Sequence, residues 1–207
     1  MSWLRLPALA RLFCGLWLLW LGVSISTLAA AQGIEVRFDA ERIEINLDVV
    51  VNAPEPLVSQ IVYDYDHLGK VFPLVSRSHL IREMGDGRAR VRADLKGCIL
   101  GICREMLHVM DVVRTNTGWN QGRTVPAQSH VRASEIQWRI DGVNPTQTRL
   151  QLSGWVELGR RIPPLIGRPL MRREIRQQLA TSAARLEKAA QPLRPLLMEN
   201  GELRVEH

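Results

Sequence analysis

The sequence predicts an α+β domain: a curved antiparallel sheet wrapped around one long C-terminal helix, with two short helices after the first strand. Three observations carry this. Between Ile43 and Leu158, several segments place apolar residues at every second position, the period of a half-buried strand. After Pro163 and Pro164 the period changes to helical spacing and keeps it to Ala190. Strands and helices are therefore segregated along the chain, with the helices at the two ends of the strand run.

The first residues speak to compartment. Arg5 and Arg11 are the only charges before Glu35. The apolar run LFCGLWLLWLGVSISTL follows, then Ala29-Ala30-Ala31. A basic start, an apolar middle and small residues at the end form a cleavable export signal, with the cut expected between Ala31 and Gln32. An uncleaved anchor in the inner membrane is the alternative. Gly15, Gly22 and Ser24 interrupt the run, which is short for a span of about 20 residues. Residues 1–31 are thus read as a signal peptide, 32–190 as the domain and 191–207 as a mobile tail. The rest of the chain is expected outside the cytoplasm, in a bacterial periplasm. Removing 31 of 207 residues leaves 176, enough for one domain with a full core. Net charge is +6, two units of which leave with Arg5 and Arg11. A mildly basic exported protein suits an anionic membrane surface, and nucleic acid is not an expected partner.

The elements follow in order. Ile43, Ile45, Leu47, Val49 and Val51 share one strand face, with Glu44, Asn46 and Asp48 on the other. Asn52-Ala53-Pro54 ends that strand, and Pro54 and Glu55 suit a first helical turn. PEPLVSQIVYDY predicts one short helix and HLGKVF a second, closed by Pro73. Asp64, Asp66 and His67 cap and join the two rather than bind a metal. LVSRSHLIREM is a strand, turned by Gly85-Asp86-Gly87 into RARVRADLK, whose arginines alternate with Ala89, Val91, Ala93 and Leu95.

The mature chain keeps two cysteines, Cys98 and Cys103, in an oxidising compartment, which predicts a disulfide. Zinc would need ligands beyond this pair and the nearby His108. If Cys98 faces Cys103 across a hairpin, paired residue numbers sum to 201. Leu95 then faces Met106, Ala93 faces His108 and Val91 faces Met110 on the buried face. Lys96 meets Glu105 and Arg90 meets Asp111 on the wet face, each pair contributing roughly 0.2–1 kcal/mol. Ile99 to Ile102 would form a four-residue loop. Further on, WNQGRTV is a weak strand. VRASEIQWRI and TRLQLSGWVEL are stronger, joined by an NPTQ turn and placing Trp138 and Trp155 on opposite faces. Met171, Ile175, Leu179, Ser182, Leu186 and Ala189 form the apolar stripe of the last helix, which Pro169 kinks or starts.

With these elements in place the chain resembles the START-like superfamily (SRPBCC, helix-grip or Bet v 1-like), and within it the polyketide cyclase/dehydrase and lipid transport family, which includes coenzyme Q-binding START domains. The residues carrying the resemblance are VNAPEPLVSQIVYDYDHLGKVFPLVSRSHLI (Val51 to Ile81), WRIDGVNPTQTRLQLSGWVEL (Trp138 to Leu158) and IPPLIG (Ile162 to Gly167). It spans about Ile34 to Ala190. The resemblance implies a helix-grip fold and binding of hydrophobic ligands, which a minority of members transform. It supplies no catalytic signature to transfer and no cofactor.

A cavity between sheet and helix would be lined by Val91, Leu95, Met106, His108, Met110, Trp138 and Leu152 from the strands. Met171, Ile175 and Leu179 would face them from the helix. Methionines suit such a wall because they adapt to varied shapes. His108 is the one candidate for a polar anchor or general base; the alternative is a core histidine bonded to a neighbour. Arg168, Arg172, Arg173 and Arg176 crowd the start of the last helix, where the macrodipole disfavours cations, and so are candidates for an anionic lipid headgroup. Ile99, Leu100 and Ile102 at the hairpin tip are candidates for membrane contact or for gating. The expected function is binding or carriage of a lipid, isoprenoid quinone or similar molecule. The alternatives are a cyclase, dehydratase or hydrolase using His108, and an interaction module with a filled core.

Overall fold

The computed structural model describes residues 33–39, 41–99, 102–115, 118–159 and 167–193. The expected signal peptide, Leu100, Pro163, Pro164 and the tail beyond Leu193 lie outside the described residues. The chain forms β1 (Gly33–Asp39), β2 (Arg42–Val51), α1 (Glu55–Val62), β3 (Val75–Gly85), β4 (Arg88–Ile99), β5 (Ile102–Val113), β6 (Asn120–Thr124), β7 (Ala133–Asn144), β8 (Gln147–Glu157) and α2 (Gly167–Ala190). The eight strands make one antiparallel sheet in the order β1-β2-β8-β7-β6-β5-β4-β3. α2 packs on β1, β2, β4 and α1. This is the expected α+β arrangement of a curved sheet gripping a terminal helix.

Two local expectations are corrected. A strand precedes IEINLDVVV: β1 pairs with β2 along its whole length, setting Val36 opposite Ile45 and Phe38 opposite Ile43. Its alternation of Ile34, Val36 and Phe38 is short, and its outer edge has no strand partner in the sheet order. The second short helix is only a 3-10 turn at Leu68–Lys70. There Gly69 lies so close to β3 that a Cβ would stand 2.8 Å from the Val75 carbonyl oxygen. Close packing of bare backbone, rather than a helical face, sets this segment.

The hairpin register is as read from the cysteines. β4 and β5 pair from Arg88 with Val113 to Ile99 with Ile102, and Cys98 and Cys103 form a disulfide. Arg90 donates Nε and Nη2 to the two oxygens of Asp111 at 2.6 and 2.8 Å. The expected loop from Ile99 to Ile102 is corrected at both ends, because Ile99 and Ile102 still belong to the ladder. At the other end of β4, the turn runs through Gly85, Asp86 and Gly87 with φ of 77°, 50° and 70°, the left-handed region that glycine enters freely.

The described part of α2 runs from Gly167 to Ala190, with Pro169 near its start. Its 24 residues span about 36 Å at 1.5 Å each. Ile175, Leu179, Ser182, Ala183, Leu186 and Ala190 are its buried face. Gln191–Leu193 continue as a 3-10 turn, with Leu193 packed against the core. The core lies where this face meets β1, β2 and α1, around Val49, Val51, Leu57, Val58 and Leu150.

Candidate functional site

The sheet's concave face and α2 do not close completely on each other. Two adjoining apolar lobes remain, of about 230 and about 460 Å³. Ile45, Leu74, Leu95 and Val156 border both. The inner lobe is walled by Val91, His108, Met110, Trp138 and Leu152 on the sheet and by Leu179 on the helix. The outer lobe is walled by Met106, Met171 and Ile175, and ends among Lys96, Cys98, Arg104 and Glu174. All ten residues expected to face a cavity thus border one lobe or the other.

Other wall residues were not singled out. Phe72, Pro73 and Leu74 lead from the 3-10 turn into β3 and roof the inner lobe. No periodicity marks such a connection. Tyr65 and Ser182 also border it. Ser182 sat within the helix stripe; its hydroxyl donates to the Gln178 carbonyl at 3.2 Å.

His108 is 2% exposed. Its Nε2 stands 3.0 Å from Thr124 Oγ1 and 3.1 Å from Ser134 Oγ, and the two hydroxyls are 2.7 Å apart. Neither partner was found from the sequence. They sit on β6 and β7, and only the sheet order brings three separate strands to one point. Thr124 and Ser134 do not border the lobes, whereas the imidazole does. A bonded histidine stands in the wall, with its hydroxyl partners behind it.

Burial pushes the His108 imidazole down to about 4 from an ordinary value near 6.5. The ring is therefore neutral in the fold at pH 7. The unfolded chain binds this proton between pH 6.5 and 4 while the folded chain does not, so stability rises with pH across that window. Its contribution is complete above pH 6.5 and lost by pH 4, about 3 kcal/mol in all. Asp48 and Asp111, held below the carboxylate range by bonds from Arg149 and Arg90, lose their contribution at lower pH still. Urea midpoints measured between pH 4 and 7 should fall on acidification, and His108→Leu should flatten that slope. A wild-type protein equally stable at pH 4.5 and 6.5 would contradict the buried, neutral ring.

Elsewhere the expected residues are placed as follows. Arg172, Arg173 and Arg176 are exposed on α2, and Arg168 is half-buried. The Arg172 guanidinium lies 5.7 Å from the Phe38 ring centre. The hairpin end and the start of α2 flank the same mouth, since Cys98 and Met171 border one lobe. Ile99 and Ile102 pair at the hairpin end. Asp64 holds the His67 ring at 2.8 Å and Asp66 accepts from the Leu80 N–H at 3.0 Å, so this trio joins the α1 segment to β3. Trp138 faces the lobe and Trp155 the other side, with the Arg42 guanidinium 4.4 Å from the Trp155 ring centre.

A larger open depression of about 610 Å³ lies on the outer surface. Arg77 and Arg92 there meet Asp94 at 3.2 and 3.1 Å. It lacks the apolar walls of the inner lobes.

A curved antiparallel sheet, a gripping terminal helix and an apolar space between them define the helix-grip class. No family model matches this sequence, and no curated protein matches it. Solved structures do, and they place the chain within the START-like fold. A START superfamily protein from Mycobacterium smegmatis aligns with a TM-score of 0.57 and 21% identity, over 72% of this chain and 98% of that one. A STAR-related lipid transfer protein from Xanthomonas axonopodis aligns with a TM-score of 0.54 and 14% identity, over 75% and 97%. A protein from Thermus thermophilus gives 0.53 and 17%, over 71% and 99%. At these identities the likeness establishes the fold.

Proposed function

We propose that this protein is an exported carrier that holds a hydrophobic or amphipathic small molecule, such as a lipid or isoprenoid quinone, between its sheet and α2. The observation that carries the reading is the pair of adjoining apolar lobes reaching from Trp138 to a mouth at Lys96 and Arg104. Hydrocarbon surface of this extent gains about 25 cal/mol per Å² when an apolar ligand covers it. The similarity of fold to a STAR-related lipid transfer protein supports the same reading. Export rests on the basic, apolar and small-residue pattern of residues 1–31. Molecules of this kind cross water poorly, which gives a soluble carrier in the envelope a physical purpose.

The mouth would meet the membrane. Lys96 and Arg104 border it, and Arg168, Arg172, Arg173 and Arg176 occupy the first turns of α2 beside Met171. Ile99, Leu100 and Ile102 at the hairpin end would supply apolar contact. Each basic residue near an anionic surface contributes up to about 1 kcal/mol. Transfer of a fluorescent-chain phospholipid between liposomes should accelerate with anionic lipid and slow with salt. Changing the four α2 arginines to Gln should cut transfer on anionic liposomes by tenfold or more. Equal binding and transfer by that variant would remove the arginines from the docking surface.

An enzymatic reading has one specific observation in its favour, the Ser134–His108 contact at 3.1 Å. Ser134 is 5% exposed and does not border the lobe, so a ligand there meets the imidazole before the hydroxyl. Carriage is the reading this geometry favours.

A further inference from the structure

Resting on the carrier reading, we infer that the carried molecule bears an acceptor oxygen of the carbonyl type, and that this oxygen docks on the Nδ1–H of His108 inside the apolar cavity. The hydrogens around His108 decide its tautomer. Nε2, Thr124 Oγ1 and Ser134 Oγ form a closed triangle with sides of 3.0, 3.1 and 2.7 Å. Each hydroxyl has one hydrogen to give. With Nε2 bare, one hydroxyl donates to the other and that one donates to the ring, so both hydrogens are used. With a hydrogen on Nε2, three hydrogens would share the triangle, and one would be left without a protein acceptor among the described residues. The bare Nε2 is therefore favoured, and a neutral imidazole must then carry its hydrogen on Nδ1. Burial keeps the ring neutral at pH 7.

Nδ1 has no hydrogen-bond partner among the described residues. The ring is 2% exposed and borders the inner lobe, with its bonded nitrogen turned to hydroxyls that do not. A second donor stands in the same wall: Trp138 Nε1 is buried and has no partner among the described residues. The two side chains border the same lobe as Met110, with Trp138 turning the carbon edge of its ring, not Nε1, to that side. A Cβ on Gly122 would lie 3.5 Å from the Trp138 ring and 3.6 Å from the Met110 sulfur, and His108 is two residues from Met110 on the same face of β5. Of the other polar groups on this wall, Ser182 gives its hydrogen to Gln178, whereas the Tyr65 hydroxyl is buried without a hydrogen-bond partner among the described residues and can donate as well. The lobe thus offers the His108 N–H within a hydrocarbon wall, and a donor left unmatched there is costly. A ligand bringing an acceptor without a hydrogen of its own answers that need.

The probes are dodecane and 2-dodecanone, compared by displacement of a polarity-sensitive dye from the full mature chain. The ketone should bind roughly three- to tenfold tighter than the alkane, and its carbonyl stretch should move to lower frequency on binding. His108→Phe should keep the alkane and lose the preference for the ketone. Should that variant fail to fold, nitrogen-15 spectra of the wild-type imidazole at pH 7 decide the tautomer on their own. Hydrogen on Nδ1 supports the proposal; hydrogen on Nε2 overturns it. Equal binding of both probes with an unshifted stretch overturns the acceptor while leaving the carrier intact. Binding of neither probe overturns the carrier reading, and the acceptor with it.

Discussion

Leu179→Trp should reduce ligand occupancy by tenfold or more while leaving the fold stable. Leu179 is 7% exposed in the buried face of α2 and borders the inner lobe opposite the sheet. An indole at this position would extend into about 230 Å³ of space that the fold leaves open. Where a core has no room, a larger side chain costs about 1–3 kcal/mol through forced rotamers and backbone shifts. Where it has room, the added apolar area is buried without that strain. Ile175→Trp should do the same in the outer lobe, which Ile175 borders. Occupancy by a fluorescent fatty-chain probe and the melting temperature, measured on one sample, separate the cases. Lost occupancy with a melting temperature within a few degrees of wild type supports an open ligand site. Unchanged occupancy and stability would mean that these residues do not line one. A large loss of stability with no change in binding would mean that the helix–sheet contact is already filled, as in an interaction module.

Gly154→Ala should destabilise the domain by about 3 kcal/mol, a large effect for one methyl group. Gly154 pairs with Ile45 on one side and Ile136 on the other, in the middle of the sheet. A Cβ there would stand 2.3 Å from the Glu135 carbonyl oxygen and 2.7 Å from the Ile136 Cα. Both are backbone atoms of β7, so no side-chain rotation relieves the clash, and the strands must separate. Glycine within a strand usually weakens it; here it permits the close approach of two backbones. The position matters for function because Ile45, Ile136 and Val156 around it all border the inner lobe. Urea denaturation of Gly154→Ala should give a midpoint well below wild type with a similar slope. A variant within about 0.5 kcal/mol of wild type would mean that β7 and β8 yield at this point without cost.

What could be read from the sequence depended on how locally each feature was encoded. The β4–β5 hairpin was legible in full register because three signals within 26 residues agreed: two cysteines, an alternating apolar face, and the Arg90–Asp111 pair. The α2 stripe was legible because Ile175, Leu179, Ser182 and Leu186 repeat at helical spacing. Together these two elements supplied most of the lobe residues. β1 escaped notice because only Ile34, Val36 and Phe38 alternate before Asp39. The partners of His108 escaped for a different reason. Thr124 and Ser134 are small hydroxyl residues with no pattern of their own, on the short strand β6 and at the start of β7. They reach His108 only through the order β7-β6-β5. The roof at Phe72, Pro73 and Leu74 was likewise set by tertiary packing, since the chain there follows Gly69 against β3 rather than a repeating period.

The most direct test of a carrier with an open apolar cavity is native mass spectrometry of the protein purified gently from the cells that produce it. The intact ion should exceed the mass of the disulfide-bonded mature polypeptide by the mass of one small hydrophobic molecule. That excess should vanish on organic extraction and be absent from Leu179→Trp. A wild-type ion at the bare polypeptide mass, from protein that also takes up no dodecane or 2-dodecanone, would contradict the carrier.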